Sequence, residues 1–298
     1  MSFLTRTEGA HATAPGRHTA TGRLSVAAAV TFMTLAACYM LLPVYWLLVS
    51  ATKSQSDLVS TPGLLPAGWH LGDNLTALFE QQDGVFGRWL LNSLLYAGAG
   101  AAIATFLAAA AGYALAKYTF TGREALFSVV LGGVLVPATA LALPLFLLFA
   151  EVDATNTFWS VFLPSVVSPF GVYLSRIFAA ASVPDEVVEA ARMDGAGELR
   201  IFCGIALRMM SPALVTVFLF QFVVIWNNFL LPLVMLQDDT LYPVTLGLFT
   251  WQSQISRLPG LQTLTIVGAL VSVVPIVLTF LILQRYWRAG LSAGAVKS

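Results

Sequence analysis

Six long apolar segments without a single charged residue are the strongest constraint on how this chain can fold. They are Leu24–Val49, Trp89–Leu115, Ala125–Phe149, Phe158–Leu174, Pro212–Leu236 and Leu264–Leu283. A helix needs about 20 apolar residues to cross the hydrocarbon core of a bilayer, and most of these segments reach that length. The whole chain is only 10% charged, against about a quarter in a soluble domain. The sequence therefore predicts an all-α protein with six transmembrane helices.

The remaining segments predict a single membrane domain with short tails. We expect residues 1–23 to be a disordered tail, residues 24–285 to form the six-helix domain, and residues 286–298 to form a C-terminal tail. Residues 35–38, LAAC, have the form of a lipoprotein cleavage site, but the apolar run continues to Val49. Because the apolar core of a signal peptide has only about 7–15 residues, we expect an uncleaved first span.

The positions of Lys and Arg predict the orientation, because cytoplasmic loops carry an excess of these residues. With a cytoplasmic N-terminus, twelve of the 15 basic residues lie inside, and the outer side keeps only Lys53, Arg88 and Arg257. Six spans then return the C-terminus to the cytoplasm. We therefore expect a multi-pass protein of the cell membrane, surrounded by lipid, with both termini cytoplasmic.

The sequence lacks the motifs that catalysis requires, and its apolar segments lack the charged residues that ion coupling requires. Ion-coupled carriers place ionisable groups within the membrane, whereas the six segments contain none. No phosphate-binding loop, nucleophile elbow or clustered metal-ligand motif occurs. A formal net charge of zero argues against a nucleic-acid partner. We expect no enzymatic activity, no metal site and no cofactor bound by this chain.

The most polar cluster within a span is Trp226-Asn227-Asn228. Amide side chains within a membrane can hydrogen-bond across helices, which is the interpretation that we favour. The alternative is contact with a hydroxyl-rich substrate in a translocation pathway.

The second span carries small residues at four-residue intervals, namely Gly100, Ala104, Ala108 and Gly112. Such a stripe allows the backbones of two helices to approach closely. It favours packing inside the bundle over a dimer-specific interface.

Charges concentrate between the fourth and fifth spans, in residues 182–211, which we call the coupling loop. From Asp185 to Arg200, seven of sixteen residues are charged. The spacing of Ser182 and Asp185 matches a capping box, which predicts a helix over about residues 183–193, and Gly195 has the freedom to end it. One face of that helix would carry Val187, Ala190, Ala191 and Asp194.

A second helix is predicted over residues 197–209, followed by Ser211 as N-cap and Pro212 as the first residue of span five. Its apolar face follows helical spacing through Leu199, Phe202, Cys203, Ala206 and Met209. The acidic excess of the loop is unfavourable beside anionic lipid headgroups. We therefore expect the loop to insert into a basic groove of a protein partner.

The same residues closely resemble the EAA loop of permeases of ATP-binding-cassette importers. The matching residues are Glu189-Ala190-Ala191, Asp194-Gly195-Ala196, Phe202, Ile205 and Pro212. The carbohydrate-uptake branch, in particular the smaller maltose-type membrane subunit, is similar at Asn92-Ser93, at Trp226-Asn227-Asn228-Phe229 with Pro232, and in the C-terminal tail. Arg208 departs from that branch, which usually has proline there.

The resemblance implies the type I ABC importer permease fold and a division of labour among subunits. The loop would dock on a cytoplasmic ATP-binding-cassette ATPase dimer, which uses the ATP, and Glu189 would meet a basic residue there. A second related permease would complete a heterodimer, and an extracytoplasmic solute-binding protein would deliver a sugar or oligosaccharide for alternating access. An ion-coupled transporter or channel and a non-transporting membrane scaffold remain the alternatives.

Overall fold

The structure is a computed structural model that describes residues 20–293, with side chains described for residues 25–286. The described residues divide into two compact units, of which the first ends at Leu48 and the second begins at Val49. The first unit contains most of helix α1 (Ala20–Ala51). The predicted disordered tail lies outside the described residues except for residues 20–23, which belong to α1. In the predicted C-terminal tail, the last helix continues to Ala293, and residues 294–298 lie outside the described range.

The second unit is built from short and long helices. In chain order they are α2 (Gln55–Ser60), α3 (Leu71–Glu80), α4 (Val85–Leu94), α5 (Gly100–Lys117), α6 (Arg123–Leu135), α7 (Ala138–Glu151), α8 (Phe158–Ser165), α9 (Pro169–Ser182), α10 (Asp185–Met193), α11 (Glu198–Ile201), α12 (Leu207–Trp226), α13 (Leu230–Met235), α14 (Val244–Gln254) and α15 (Leu261–Ala293). Two π turns, Leu95–Ala99 and Phe202–Ala206, join α4 to α5 and α11 to α12.

The helices confirm the prediction of an all-helical membrane protein within the described residues. Five helical runs are long and apolar enough to cross a membrane: Ser25–Ala51, Leu71–Lys117, Phe158–Ser182, Glu198–Trp226 and Leu261–Tyr286. The number of spans is six if α6 and α7 are counted together as one span. These two helices meet at a bend of 101°. Pro137 lies at this bend, as the N-cap of α7.

The small-residue stripe on α5 packs against α9 of the same chain. A Cβ atom added to Gly112 would lie 2.5 Å from Cβ of Ser175 and 2.6 Å from the backbone nitrogen of Arg176. One added to Gly171 on α9 would lie 3.1 Å from Cβ of Ala108. The stripe thus brings two backbones of one bundle together, which supports the interpretation as packing inside the chain.

Span five begins earlier than expected, and the predicted N-cap at Ser211 is wrong. The helix runs without interruption through Ser211 and Pro212, which lie inside α12. Proline has no N–H to donate to the carbonyl four residues earlier, here that of Arg208. The hydroxyl of Ser211 donates to this carbonyl instead, at 2.8 Å. A neighbouring side chain therefore allows the helix to continue past the proline.

The predicted capping box at Ser182 is also wrong. Ser182 is the last residue of α9, and Val183 is buried in an extended conformation. Helix α10 begins after Pro184, whose side chain provides no cap hydrogen bond. The buried, extended residue Val183 separates the two helices. Ser182 therefore ends α9 and does not cap α10.

Candidate functional site

The coupling loop folds as a short helix, a glycine turn and a second helical segment. Helix α10 ends at Met193, and Gly195, two residues later, has a φ of +80°. The N–H of Gly195 donates to the carbonyl of Arg192, and the N–H of Ala196 donates to that of Ala191. This pair of bonds is a Schellman motif, which satisfies carbonyls that the end of a helix leaves without partners. The predicted break at Gly195 is confirmed.

One face of the coupling loop is buried against the ends of α5 and α9. The hydrophobic cluster there consists of Ala109, Tyr113, Ala179, Val183, Val188, Ala191, Ile201, Phe202, Ala206 and Met210. The ring of Phe202 lies 5.4 Å from that of Tyr113 and 6.0 Å from that of Phe106, both on α5. The loop is therefore anchored on the bundle by its own apolar residues.

The opposite face of α10 is exposed and combines acidic with apolar side chains. Glu186, Glu189 and Ala190 are exposed on it. Met193 is 88% exposed, and Leu199, beyond the glycine turn, is 81% exposed. We call these five residues the docking face. Carboxylates beside freely exposed apolar groups suit a partner groove that has an apolar floor and basic residues at its edge.

Polar contacts fasten the two halves of the loop to the end of α5. The Tyr118 hydroxyl donates to Oε2 of Glu198 at 2.6 Å, and Nε of Arg192 donates to Oε1 of the same carboxylate at 2.7 Å. Lys117 Nζ donates to Asp185 Oδ1, also at 2.7 Å. Burial raises the pKa of Tyr118 well above its usual range, and the hydrogen bond to the Glu198 carboxylate adds to this effect. These contacts hold the loop in one position relative to α5.

The structure separates the predicted loop residues into two groups. Glu189, Ala190, Asp194 and Gly195 are exposed, whereas Ala191 and Phe202 are buried. Ala196 is partly buried against the hydrophobic cluster, and Pro212 lies within α12. Only the exposed group is available to a partner in this conformation.

The apolar face predicted for the second helix is wrong in part. Leu199 and Cys203 are exposed, while Ile201 and Met210 are buried in their place. The π turn at Phe202–Ala206 accounts for the difference, because its wider winding rotates the residues before it relative to those after it.

The predicted polar cluster lies far from the coupling loop. Trp226 is 2% exposed and stacks on Phe222 at 5.6 Å. The amide of Asn227 donates to the carbonyl of Val223 in its own helix at 2.8 Å, and the carbonyl of Asn228 accepts from Thr245 at 3.1 Å. Because α12 continues for about 15 residues beyond the end of the coupling loop at residue 211, the cluster lies about 22 Å from the loop along the helix.

Two polar residues that the sequence analysis did not single out make contacts between elements. Tyr118 reaches the coupling loop, and Gln221 on α12 bonds to Ser165 and Ser168 at the break in span four. A lone glutamine in an apolar span, opposite a span with two prolines, was the available signal for Gln221. Within residues 25–286, no group of three or more His, Cys, Asp or Glu side chains is placed to hold a metal ion.

Comparison with known proteins places this arrangement in a family. Residues 104–292 match the family described as "Binding-protein-dependent transport system inner membrane component". The arabinooligosaccharides transport system permease protein AraQ of Halalkalibacterium halodurans is 35% identical over 225 residues, which are 76% of this chain and 79% of the relative. The lactose transport system permease protein LacG of Rhizobium radiobacter is 31% identical over 265 residues, which are 89% of this chain and 94% of the relative.

The fold is shared with a chain of a solved importer. A crystal structure of a bacterial ABC transporter involved in the import of the acidic polysaccharide alginate aligns with a TM-score of 0.80 at 18% identity, covering 92% of this chain and 100% of that chain. The family match covers more than half of the chain, and both relatives are aligned over more than two thirds of their length. This chain therefore belongs to the family of binding-protein-dependent transport system inner membrane components, the permease subunits of ATP-binding-cassette importers.

Proposed function

We propose that this chain is the membrane-spanning permease subunit of an ATP-driven importer that moves a sugar or oligosaccharide by alternating access. The substrate class is supported by relatives named for arabinooligosaccharides, lactose, and melibiose, raffinose and stachyose. The absence of charged residues from the six apolar segments agrees with an uncharged substrate and with an energy source outside this chain.

The docking face carries the energy-coupling part of the proposal. Its acidic and apolar side chains project from a loop that is anchored by Phe202 and fastened by Tyr118 and Lys117. A rigid projection of this kind can transmit a displacement to the helices that support it. We assign the docking face to a cytoplasmic ATP-binding-cassette ATPase dimer, which uses the ATP, with Glu189 next to a basic residue of that partner.

The remaining assignments complete the importer. A second related permease subunit forms a heterodimer with this chain, and an extracytoplasmic solute-binding protein delivers the substrate. Both termini face the cytoplasm, and the coupling loop lies on the same side. The distribution of Lys and Arg supports this orientation, because only Lys53, Arg88 and Arg257 fall on the outer side.

A charge reversal at Glu189 tests the function. The tagged chain is purified from its native membranes, and we measure the co-purifying ATPase and the ATP-dependent uptake of an arabinooligosaccharide or lactose into proteoliposomes. Glu189→Lys is expected to lose both, because a cation would face the basic residue of the partner. Glu80→Lys, at an exposed acid on α3 outside the loop, is the matched control and should retain both.

Equal behaviour of the two variants would show that the docking assignment is wrong. Uptake that is driven by an ion gradient without ATP would show that the chain is part of an ion-coupled carrier and not of an ATP-driven importer. Loss of the co-purifying ATPase in Glu189→Lys without any effect on transport would indicate a membrane scaffold.

A further inference from the structure

Span four is interrupted between α8 and α9, at residues 166–168. In a continuous helix the carbonyl of Ser165 would accept a hydrogen bond from the backbone nitrogen of residue 169. Residue 169 is a proline and has no N–H to donate. Ser165 is only 8% exposed, and an unpaired carbonyl is costly within a membrane, where no water replaces the lost partner.

Gln221, on α12 in span five, supplies the missing donor. Its Nε2 donates to the carbonyl oxygen of Ser165 at 2.9 Å, and its Oε1 accepts from the Ser168 hydroxyl at 2.8 Å. Ser168 Oγ in turn accepts from the N–H of Gly171 at 3.2 Å, as the N-cap of α9. Because the Ser165 carbonyl can only accept, it determines which end of the Gln221 amide faces it. One side chain thus joins the end of α8, the start of α9 and span five.

The same substitution of a donor occurs at Pro212, but there it is local. The Ser211 hydroxyl bonds to the carbonyl of Arg208 within one helix and connects no two spans. Gln221 bonds to a residue 56 positions away. Ser211 therefore provides an internal comparison, with similar chemistry and no mechanical connection between spans.

We infer that Gln221 is a positioning residue that holds the break at residues 166–168 in one conformation and makes spans four and five move together. Helix α9 enters the coupling loop and α12 leaves it, so the loop already joins these two helices at one end. Gln221 joins them again near the break, and closes a frame of two helices and a loop. A displacement of the docking face is then transmitted to the break in span four, because α9 and α12 cannot slide past each other. This role rests on the proposed function, which supplies the displacement.

Distances across the break test the inference directly in the full chain. Spin labels are attached to Trp159→Cys on α8 and Ile177→Cys on α9, both exposed positions, after Cys38 and Cys203 are replaced by serine. These labels are about 27 Å apart along a straight helical path. Double electron–electron resonance spectroscopy should give one narrow distribution of the distance between the two labels when Gln221 is present. Gln221→Leu removes both bonds and should increase the population at other distances by at least about fivefold, the factor expected for one net hydrogen bond.

Two further variants decide between a specific and a general effect. Ser168→Ala removes one of the bonds of Gln221 and should broaden the distribution less than Gln221→Leu does. Ser211→Ala removes the local donor and should leave the distribution unchanged. If Gln221→Leu yields too little protein, Ser168→Ala is compared with Ser211→Ala by the same criterion. A distribution that Gln221→Leu and Ser168→Ala leave unchanged would overturn the inference.

The assembled importer provides the second readout. With Gln221→Leu, the ATPase should still co-purify in the wild-type ratio, while the amount of lactose or arabinooligosaccharide transported per ATP falls. A merely structural role would instead lower the yield of complex and leave that ratio unchanged in what remains. Failure of the docking assignment would appear at Glu189→Lys and would leave the distance measurement standing, so the two proposals fail separately.

Discussion

The hydroxyl of Tyr118 lies 2.6 Å from Oε2 of Glu198, a residue 80 positions further along the chain. The same carboxylate accepts from Arg192 on the other side of the glycine turn. One carboxylate therefore joins the end of α5 to both halves of the coupling loop. The loop is held by this contact as well as by its hydrophobic anchor.

Raising the pH should weaken this contact through Tyr118. The pKa of Tyr118 is raised by burial and by the Glu198 carboxylate, so folding favours the neutral phenol. The resulting stabilisation is fully present below the unfolded pKa of about 10 and is lost as the pH rises above that value towards the folded pKa. The melting temperature of the detergent-solubilised chain should fall more steeply above about pH 10 for the wild type than for Tyr118→Phe. Parallel curves would contradict the assignment.

Gly195→Ala should open the coupling loop. A side chain at a φ of +80° is strained, at a cost of about 1–2 kcal/mol. The amides of residues 195 and 196 close the turn. Their hydrogen exchange should become faster in the variant, by the factor that corresponds to this free-energy cost. Gly197→Ala is the matched control, because Gly197 has a φ of −70° and no atom within 4 Å of an added Cβ. Equal exchange in the two variants would show that the turn does not require glycine.

Gly112→Ala should push α5 and α9 apart. The new methyl group would lie 2.5 Å from Cβ of Ser175 and 2.6 Å from the backbone nitrogen of Arg176, so the helices must separate. Overpacking of this kind costs about 1–3 kcal/mol, measurable by denaturant titration in detergent. Gly132→Ala on α6 meets no atom within 4 Å and should be neutral or slightly stabilising. A neutral result at Gly112 would mean that the stripe does not determine the packing.

Leu199→Ser should weaken ATPase binding without unfolding the chain. Leu199 is 81% exposed here, and burying such a side chain in a partner contributes about 1.5–3 kcal/mol. The dissociation constant for the co-purifying ATPase should therefore rise at least about tenfold. Leu258→Ser, at a residue that is 54% exposed outside the coupling loop, should leave it unchanged. Binding that survives in Leu199→Ser would remove this residue from the docking face.

The sequence allowed prediction of features that depend on solvent and on local backbone chemistry. Charge-free length predicted the apolar spans, and Gly195 was predicted as the helix end because few other residues adopt a positive φ. Helix boundaries at Ser182 and Pro212 were predicted wrongly, since tertiary contacts decided them: Val183 enters the core, and Ser211 replaces the donor that Pro212 lacks. The contact between Gln221 and Ser165 joins residues 56 positions apart, and no local pattern specifies such a pairing.

The π turn at Phe202–Ala206 stands between the docking face and span five. Each residue of a helix advances the direction of its side chain by about 100°. Deleting one residue from this turn would keep every docking side chain but rotate Leu199 by about that angle relative to α12. The orientation of Leu199 in the docking face thus depends on the number of residues in the π turn, a segment that need not touch the partner. Loops grafted from relatives must match this length before their composition matters.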